Sequence, residues 1–247
     1  MDNINKYSKI ISSIANRIAE EEKENIRKAS LILADVIIKD RLINVFGPGS
    51  HSHMFVDEMF FRAGGLVPIR PWLNPAIAST ENIYTVLFCE ETPGFGKELM
   101  KEHILDSDDV IIIANPNGIN CCAIEVALEC KKIGMKVIGV TSRSFSEAVP
   151  LDFYARHPSK KNLCDVVDIA IDCKQPPGDA VIDLKESPQK VAPVSGVAQL
   201  IVANMLVIAV TEEFICRGIE PPVFRSGHIP NGKEFNEKHV RNLYKKM

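Results

Sequence analysis

The chain has 247 residues and a formal net charge of −3, with 46% hydrophobic, 25% charged and 6% aromatic residues. That length can bury a full core as one domain with appendages. Mild acidity without a dense Lys/Arg run excludes a phosphate-backbone footprint for nucleic acid, and the sparse aromatics exclude a base-stacking platform.

Residues 1–24, MDNINKYSKIISSIANRIAEEEKE, read as amphipathic helix and contain no apolar h-region, so no signal peptide is expected. Ile4, Ile10, Ile11, Ile14 and Ile18 form one stripe; Ile26, Ala29, Leu31, Leu33 and Val36 form another. Residues 1–40 are therefore expected to be an N-terminal helical segment packing on the core, with the EEEKE run at 20–24 as a solvated face. A first strand at 42–46 enters the loop Gly47-Pro48-Gly49-Ser50-His51-Ser52-His53, and a helix follows to about Arg62, where Ala63-Gly64-Gly65 stops it. Residues 66–69 read as a second strand. The pattern at 81–89 suits helix and strand equally; Pro93-Gly94 breaks it, and 97–104 resumes as helix.

The near-continuous apolar run at 110–114 predicts a strand buried on both faces, as in parallel sheets. Asn115-Pro116-Asn117-Gly118-Ile119-Asn120 follows, then a helix over 121–133 stopped by Gly134, and a strand at 136–140. Two short strands, 166–171 and 180–184, flank the CKQPPGD turn. A long helix spans about 194–216. Its apolar run at 200–210 is interrupted by Asn204 and is far short of the roughly 20 residues that cross a bilayer, so no membrane partner is expected. The tail is loop-rich and then weakly helical.

Strands alternating with helices at this spacing predict an α/β fold, a three-layer α/β/α sandwich with a mostly parallel sheet. Residues 41–216 form its core domain, and 217–247 a C-terminal loop and short helix. Ligands on such sheets sit at the carboxyl ends of the strands, where both polar loops fall. Each loop opens a helix whose first-turn N–H groups and dipole favour an anion. Gly49, Ser50, Ser52 and His53 in the first loop supply close backbone approach and polar contacts. Asn115, Asn117, Gly118 and Asn120 in the second supply amides for hydrogen bonds without adding charge. Ser142, with Thr141 and Ser144, converges on the same edge. Either loop alone also serves as ordinary turn and capping chemistry.

No G-x-G-x-x-G or P-loop motif is present, so no nucleotide cofactor is expected. A metal at His51-x-His53 wants a third ligand, and none lies at a fixed short spacing, so no metal is expected either. Carboxylates available for acid–base work are Glu58, set among Met54, Phe55, Met59 and Phe60, and the pair Glu90-Glu91; Glu125 suits a salt bridge as well as catalysis. His51 is a candidate proton shuttle, and His228 a candidate lid residue for its own or a neighbouring subunit. Seven cysteines without a C-x-x-C pair fit a reducing cytoplasm, and Cys121-Cys122 reads as ordinary packing.

From residue 31 to 214 the chain resembles the SIS (sugar isomerase) superfamily. The stretch DDVIIIANPNGINCCAIEVALECKKIGMKVIGVTS is similar to that family's strand, S-x-S-G-x-[ST] loop, helix, G-x-K-V-I and T-S sequence. HSHMFVDEMFFRAGG at 51–65 resembles uncharacterised single-domain bacterial members. Ala198, Gln199, Asn204, Met205 and Leu206 resemble a signature of the N-acetylmuramic acid 6-phosphate etherase branch. Where the family's phosphate loop carries hydroxyls, this chain has Asn115, Asn117 and Asn120. The etherase-type catalytic glutamate lies further along its first helix than Glu58 does, and Glu90 or Glu91 is a loose counterpart of the second.

The resemblance implies a five-stranded parallel sheet and a phosphorylated sugar or amino sugar as ligand, with Gln199 among the binding residues. It implies isomerisation or a related elimination, both beginning with carboxylate-mediated proton abstraction beside a carbonyl. The alternative is a non-catalytic phosphosugar sensor regulating a partner protein. The apolar helix faces at the N-terminus and at 197–210 predict a homodimer.

Overall fold

A computed structural model describes residues 2–78 and 82–247. Five strands, β1 (Ile43–Phe46), β2 (Ile69–Pro71), β3 (Val110–Ala114), β4 (Lys136–Thr141) and β5 (Ile169–Asp172), form one sheet in the order β2-β1-β3-β4-β5. Every neighbouring pair is parallel. Parallel strands need crossovers, and helices supply them on both faces. The helices are α1 (Asp2–Glu21), α2 (Lys23–Ile38), α3 (Ser50–Met59), α4 (Ile83–Glu91), α5 (Phe95–Leu99), α6 (Cys121–Ile133), α7 (Arg143–Ala148), α8 (Leu163–Val166), α9 (Ser195–Cys216) and α10 (Gly232–Tyr244). A separate antiparallel hairpin pairs β6 (Ala180–Ile182) with β7 (Val191–Pro193).

The alternation of side chains along β3 divides the core. Val110, Ile112 and Ala114 face a layer built from α1, α2, α3 and α9. Ile111 and Ile113 face α6 and α8. All five residues are buried, which is why the run reads as continuously apolar. Each such isoleucine contributes roughly 1.5–3 kcal/mol by leaving water.

Several expectations are corrected. The strand expected at 66–69 joins the sheet only from Ile69, because Leu66 bridges Val223 antiparallel and Val67 N–H donates to Pro222 O at 2.8 Å. The first part of the stretch at 166–171 is the end of α8, a helix that a capping box at Asn162 opens. The strand at 180–184 lies outside the main sheet. The ambiguous segment is helical over Ile83–Glu91, capped by Asn82, whose side chain accepts from Thr85 N–H; Glu81 lies outside the described residues. The helix α9 is long and apolar enough to cross a membrane by length and composition. It differs from the short run read in the sequence because helical residues flank that run on both sides, and one face of it packs on α1, α2 and α3.

The acidic run at 20–24 is also more than a solvated face. Lys174, in the turn after β5, is buried and places Nζ 2.5 Å from Glu22, 3.0 Å from Glu21 and 3.4 Å from Asp172. Glu22 is itself buried. This cluster fastens the α1–α2 corner to the carboxyl end of β5. Removing one partner of a buried ion cluster leaves the others uncompensated. Lys174→Met is therefore expected to lower unfolding stability by about 3 kcal/mol, read as a reduced denaturant midpoint with an unchanged slope.

Candidate active site

Chain progress reverses direction between β1 and β3, and at such a switch point parallel sheets form their ligand crevice, at the carboxyl edge. The loops after β1, β3, β4 and β5 meet at this edge and hold one another. Ser142 N–H donates to Pro116 O at 3.0 Å, and Ser142 Oγ donates to Gln175 O at 2.6 Å. Ser144 Oγ donates to the same carbonyl at 3.0 Å. Asn115 Oδ1 accepts from Gly118 N–H at 2.7 Å, which curls the second loop. Gly118 has φ +67°, and a Cβ there would lie 2.4 Å from Thr141 Oγ1.

Glu90, at the end of α4, reaches into the crevice between the first two loops. Gly49 stands at φ +88°, ψ 155°, a region essentially reserved for glycine. A Cβ at Gly49 would sit 2.7 Å from one oxygen of the Glu90 carboxylate, so the absence of a side chain admits that group. Asn115 Nδ2 approaches the other oxygen at 3.5 Å. Glu90 is only 6% exposed. Burial, helped by the charge of Glu91, pushes its pKa up to about 7, against the pull of Asn115. Glu91 is partly buried, which raises its pKa as well.

The first turn of α3 carries the imidazoles. Burial holds His51 below its ordinary value while Asp179 pulls it the other way, so the ring is neutral at pH 7. The Gln199 amide of α9 donates to His51 O, fixing this turn against α9. Buried side-chain atoms without a partner among the described residues are His51 Nε2, Ser52 Oγ, His53 Nε2, Asn120 Oδ1, Thr141 Oγ1, Gln175 Oε1, Gln199 Oε1 and Arg70 Nε. All except Arg70 Nε belong to this edge or to the helix turns beside it. Native interiors rarely leave such groups unpaired, and here they are concentrated at one edge of the sheet.

Other candidates stand elsewhere. Glu58 lies at the far end of α3, paired to Arg62 Nε at 3.3 Å and to Asn204 Nδ2 at 3.2 Å. Glu125 is 2% exposed and accepts from Gly94 N–H at 2.7 Å and Gly96 N–H at 3.1 Å, so it organises the turn between α4 and α5. His228 lines a groove with Phe61, Arg62 and Phe224; Phe61 and Arg62 lie in the connection that leads into the start of β2, so within its own chain His228 is at the opposite edge of the sheet. His53 turns Nδ1 to Asp57 at 3.5 Å. Among the described residues no three His, Cys, Asp or Glu side chains group to hold a metal ion. Burial raises the Cys121 thiol to about 11 and the Cys122 thiol well above its ordinary value, and both side chains are packed in the interior.

Gln175 was missed by sequence reasoning. It is 1% exposed, its carbonyl gathers Ser142 and Ser144, and its Nε2 approaches Asn117 Oδ1 at 3.5 Å. Its signal was position, three residues beyond a strand of the parallel sheet; the following Pro176-Pro177 made the segment read as a turn.

A sheet-edge crevice of helix N-termini, small residues and unpaired polar groups defines an α/β protein built to bind a small polar ligand. The SIS domain family model matches residues 6–142. A UPF0309 protein of Shouchella clausii is 32% identical over 96% of this chain and 95% of its own length. Another from Thermoanaerobacter pseudethanolicus is 31% identical over 98% of each. The chain belongs to the SIS domain family. A phosphoheptose isomerase from Francisella tularensis shares the fold with a TM-score of 0.53 at 15% identity, covering 85% of this chain and 97% of that one.

The Glu90 environment has a measurable consequence. The folded state keeps the proton up to about pH 7, whereas the unfolded chain releases it near the ordinary 4.5. The folded state thus binds more protons between those values, and stability falls as pH rises through them. Glu90→Gln is expected to stabilise the protein at pH 8 by roughly 3 kcal/mol, with the difference vanishing below pH 4.5. Denaturant unfolding of both proteins across pH 4–8 measures it.

Proposed function

We propose that this protein binds a phosphorylated sugar or amino sugar in the β1–β3 crevice and isomerises it, or carries out a related elimination, with Glu90 as the base. One observation carries the reading: a buried carboxylate with a pKa of about 7 lies against Gly49 of the first loop and Asn115 of the second. A base poised near neutrality both holds its deprotonated form and accepts a proton with little penalty. SIS membership and the fold shared with a protein named as a phosphoheptose isomerase support the sugar phosphate.

In this mechanism the phosphate sits at the N-terminal turns of α3 and α6, held by backbone N–H groups and by the hydroxyls and amides of Ser50, Ser52, Asn117 and Gln175. Glu90 removes the proton from the carbon beside the sugar carbonyl, and the electron pair moves to the carbonyl oxygen as an enediolate. Neutral His51 exchanges a proton with the sugar oxygens through Nε2. For isomerisation Glu90 returns its proton to the neighbouring carbon; for elimination a leaving group departs from the adjacent carbon. Glu91 raises the basicity of Glu90 by repulsion. Glu58, bound to Arg62 and Asn204, ties α3 to α9.

The exposed apolar side chains Ile83, Tyr84, Leu87 and Phe88 form a strip on α4, the helix that carries Glu90. They support a homodimer through that face, and the seven free cysteines, five of them buried, support a cytoplasmic location. Light scattering of the parent and of Leu87→Glu tests the dimer, the variant being expected to dissociate.

A panel of sugar phosphates, each paired with its unphosphorylated sugar, tests the reading by melting temperature and turnover. A phosphorylated ligand at a hundredfold excess over its Kd stabilises the fold by about 2.7 kcal/mol, and the plain sugar does not. Turnover is expected to rise with pH through about 7, to fall about 10²–10⁴-fold in Glu90→Gln, and to persist in Glu58→Gln. Selective binding without turnover of any phosphosugar would establish the sensor instead.

A further inference from the structure

The groove that His228 lines, at the edge of the sheet away from the crevice, holds about 620 Å³, the size of a small-molecule site. One wall is the connection Phe61, Arg62 and Ala63 that follows α3; the other is the C-terminal segment from Phe224 into α10. Backbone bonds join the walls: Gly64 N–H donates to Phe224 O at 2.8 Å, and Phe224 N–H donates to Gly65 O at 2.9 Å. The buried Asn236 side chain braces the second wall, accepting from Arg225 N–H at 2.9 Å and donating to Arg225 O at 2.7 Å. Both walls are therefore fixed without a ligand.

Two features of the lining serve no purpose within the fold. The first is charge: four cations, Arg62, Arg225, Lys233 and Arg241, stand against one carboxylate, Glu237. Arg241 already holds Glu237 at 2.7 Å, and Arg62 is paired with Glu58 at 3.3 Å. Arg225 lies over the Phe235 ring at 3.7 Å and Lys233 runs beside Gly227; neither forms an ion pair among the described residues. The second is Phe61. Its φ of 54° is a left-handed conformation that disfavours a bulky side chain, and its ring is 57% exposed. The ring meets the buried Phe224 edge-on, with centroids 5.0 Å apart, which leaves the rest of it open to the groove. Uncompensated cations call for an anion, and a phosphate offers several oxygens to two donors at once. An open aromatic ring calls for a flat partner. Inorganic phosphate satisfies only the cations, and a sugar ring edged with hydroxyls covers Phe61 less completely than a planar base does. A nucleoside phosphate supplies both.

We infer that this groove is a second ligand site that takes a nucleoside phosphate, its base laid against Phe61 and its phosphate oxygens held by Arg225 and Lys233. One exposed ring accommodates one base and makes no platform for a nucleic-acid strand. The site neither needs nor excludes a sugar phosphate in the crevice, yet both lie on one helix: α3 has its first turn at the crevice and ends at Met59, two residues before Phe61. The ten residues of that helix span about 15 Å, so occupants of the two sites do not compete.

Titration calorimetry on the full chain tests it, in about 0.15 M salt so that exposed charges are screened beyond about 8 Å. The ligands are the common ribonucleoside mono- and diphosphates, their nucleosides and inorganic phosphate. At least one nucleotide is expected to bind roughly tenfold or more tightly than both its nucleoside and inorganic phosphate. Lys233→Glu is expected to weaken that binding roughly tenfold. Phe61→Gly removes the ring and relieves the left-handed backbone; it is expected to erase the preference over inorganic phosphate while keeping or raising the parent melting temperature. Failure of every nucleotide to bind overturns the inference. Inorganic phosphate binding as tightly as every nucleotide means that the groove reads charge alone, and also overturns it. Nucleotide binding that is unchanged in either folded variant places the ligand elsewhere on the molecule and overturns it as well.

Discussion

The parallel sheet is the constraint from which the site follows. Strands buried on both faces, such as β3, cannot be joined by tight turns, so each returns through a helix and all five carboxyl ends share one edge. At that edge the ladder stops, and the terminal backbone groups need other partners. The loops supply them to each other: Asn115 N–H donates to Val140 O, Ser142 N–H to Pro116 O, and Cys173 N–H to Thr141 O. Once this stitching is complete, the buried atoms that remain unpaired among the described residues are side-chain groups, and all but Arg70 Nε lie at this edge or in the helix turns beside it. Binding capacity here is what is left over after the backbone has been satisfied.

Three buried or half-buried glutamates show how differently the fold compensates a carboxylate. Glu125 is the most buried, but two backbone N–H groups meet its oxygens, so it works as a clamp on the turn after α4. Glu58 has an arginine and an amide. Glu90 has one long amide contact and another carboxylate nearby, with no cation beside it among the described residues. The least compensated of the three is the one placed between both loops. The clamp serves it indirectly, because Glu125 fixes the segment that immediately follows α4.

Much of the architecture was legible in sequence, for identifiable reasons. Helix α6 ends where Gly134 requires it, and the apolar run of β3 registers burial on two faces. Local pattern failed where long-range partners decide. Leu66 and Val67 look like a strand of the main sheet, but their partners lie some 155 residues further along the chain, in the C-terminal segment that covers this edge. Glu22 looks like part of a solvated acidic run, and only the fold brings Lys174 to it. The two loops could be read from their composition. Which carboxylate lies between them could not, because Glu58 is near in sequence whereas Glu90 is near in space.

Two buried cations explain why the crevice can be preformed although its floor is unpaired polar surface. Arg156 holds the segment after α7 through four acceptors, and Lys174 holds the turn after β5 through three carboxylates. Gln175 follows directly on Lys174, and Asn120 is bridged to Arg156. Each fastener therefore fixes a neighbouring amide whose oxygen has no partner. The cost of holding those amides in place is met during folding, by charges that never touch the ligand. On the proposed reading, a ligand at this edge gains its hydrogen bonds without first ordering the loops, which is the condition under which modest contacts yield selective binding.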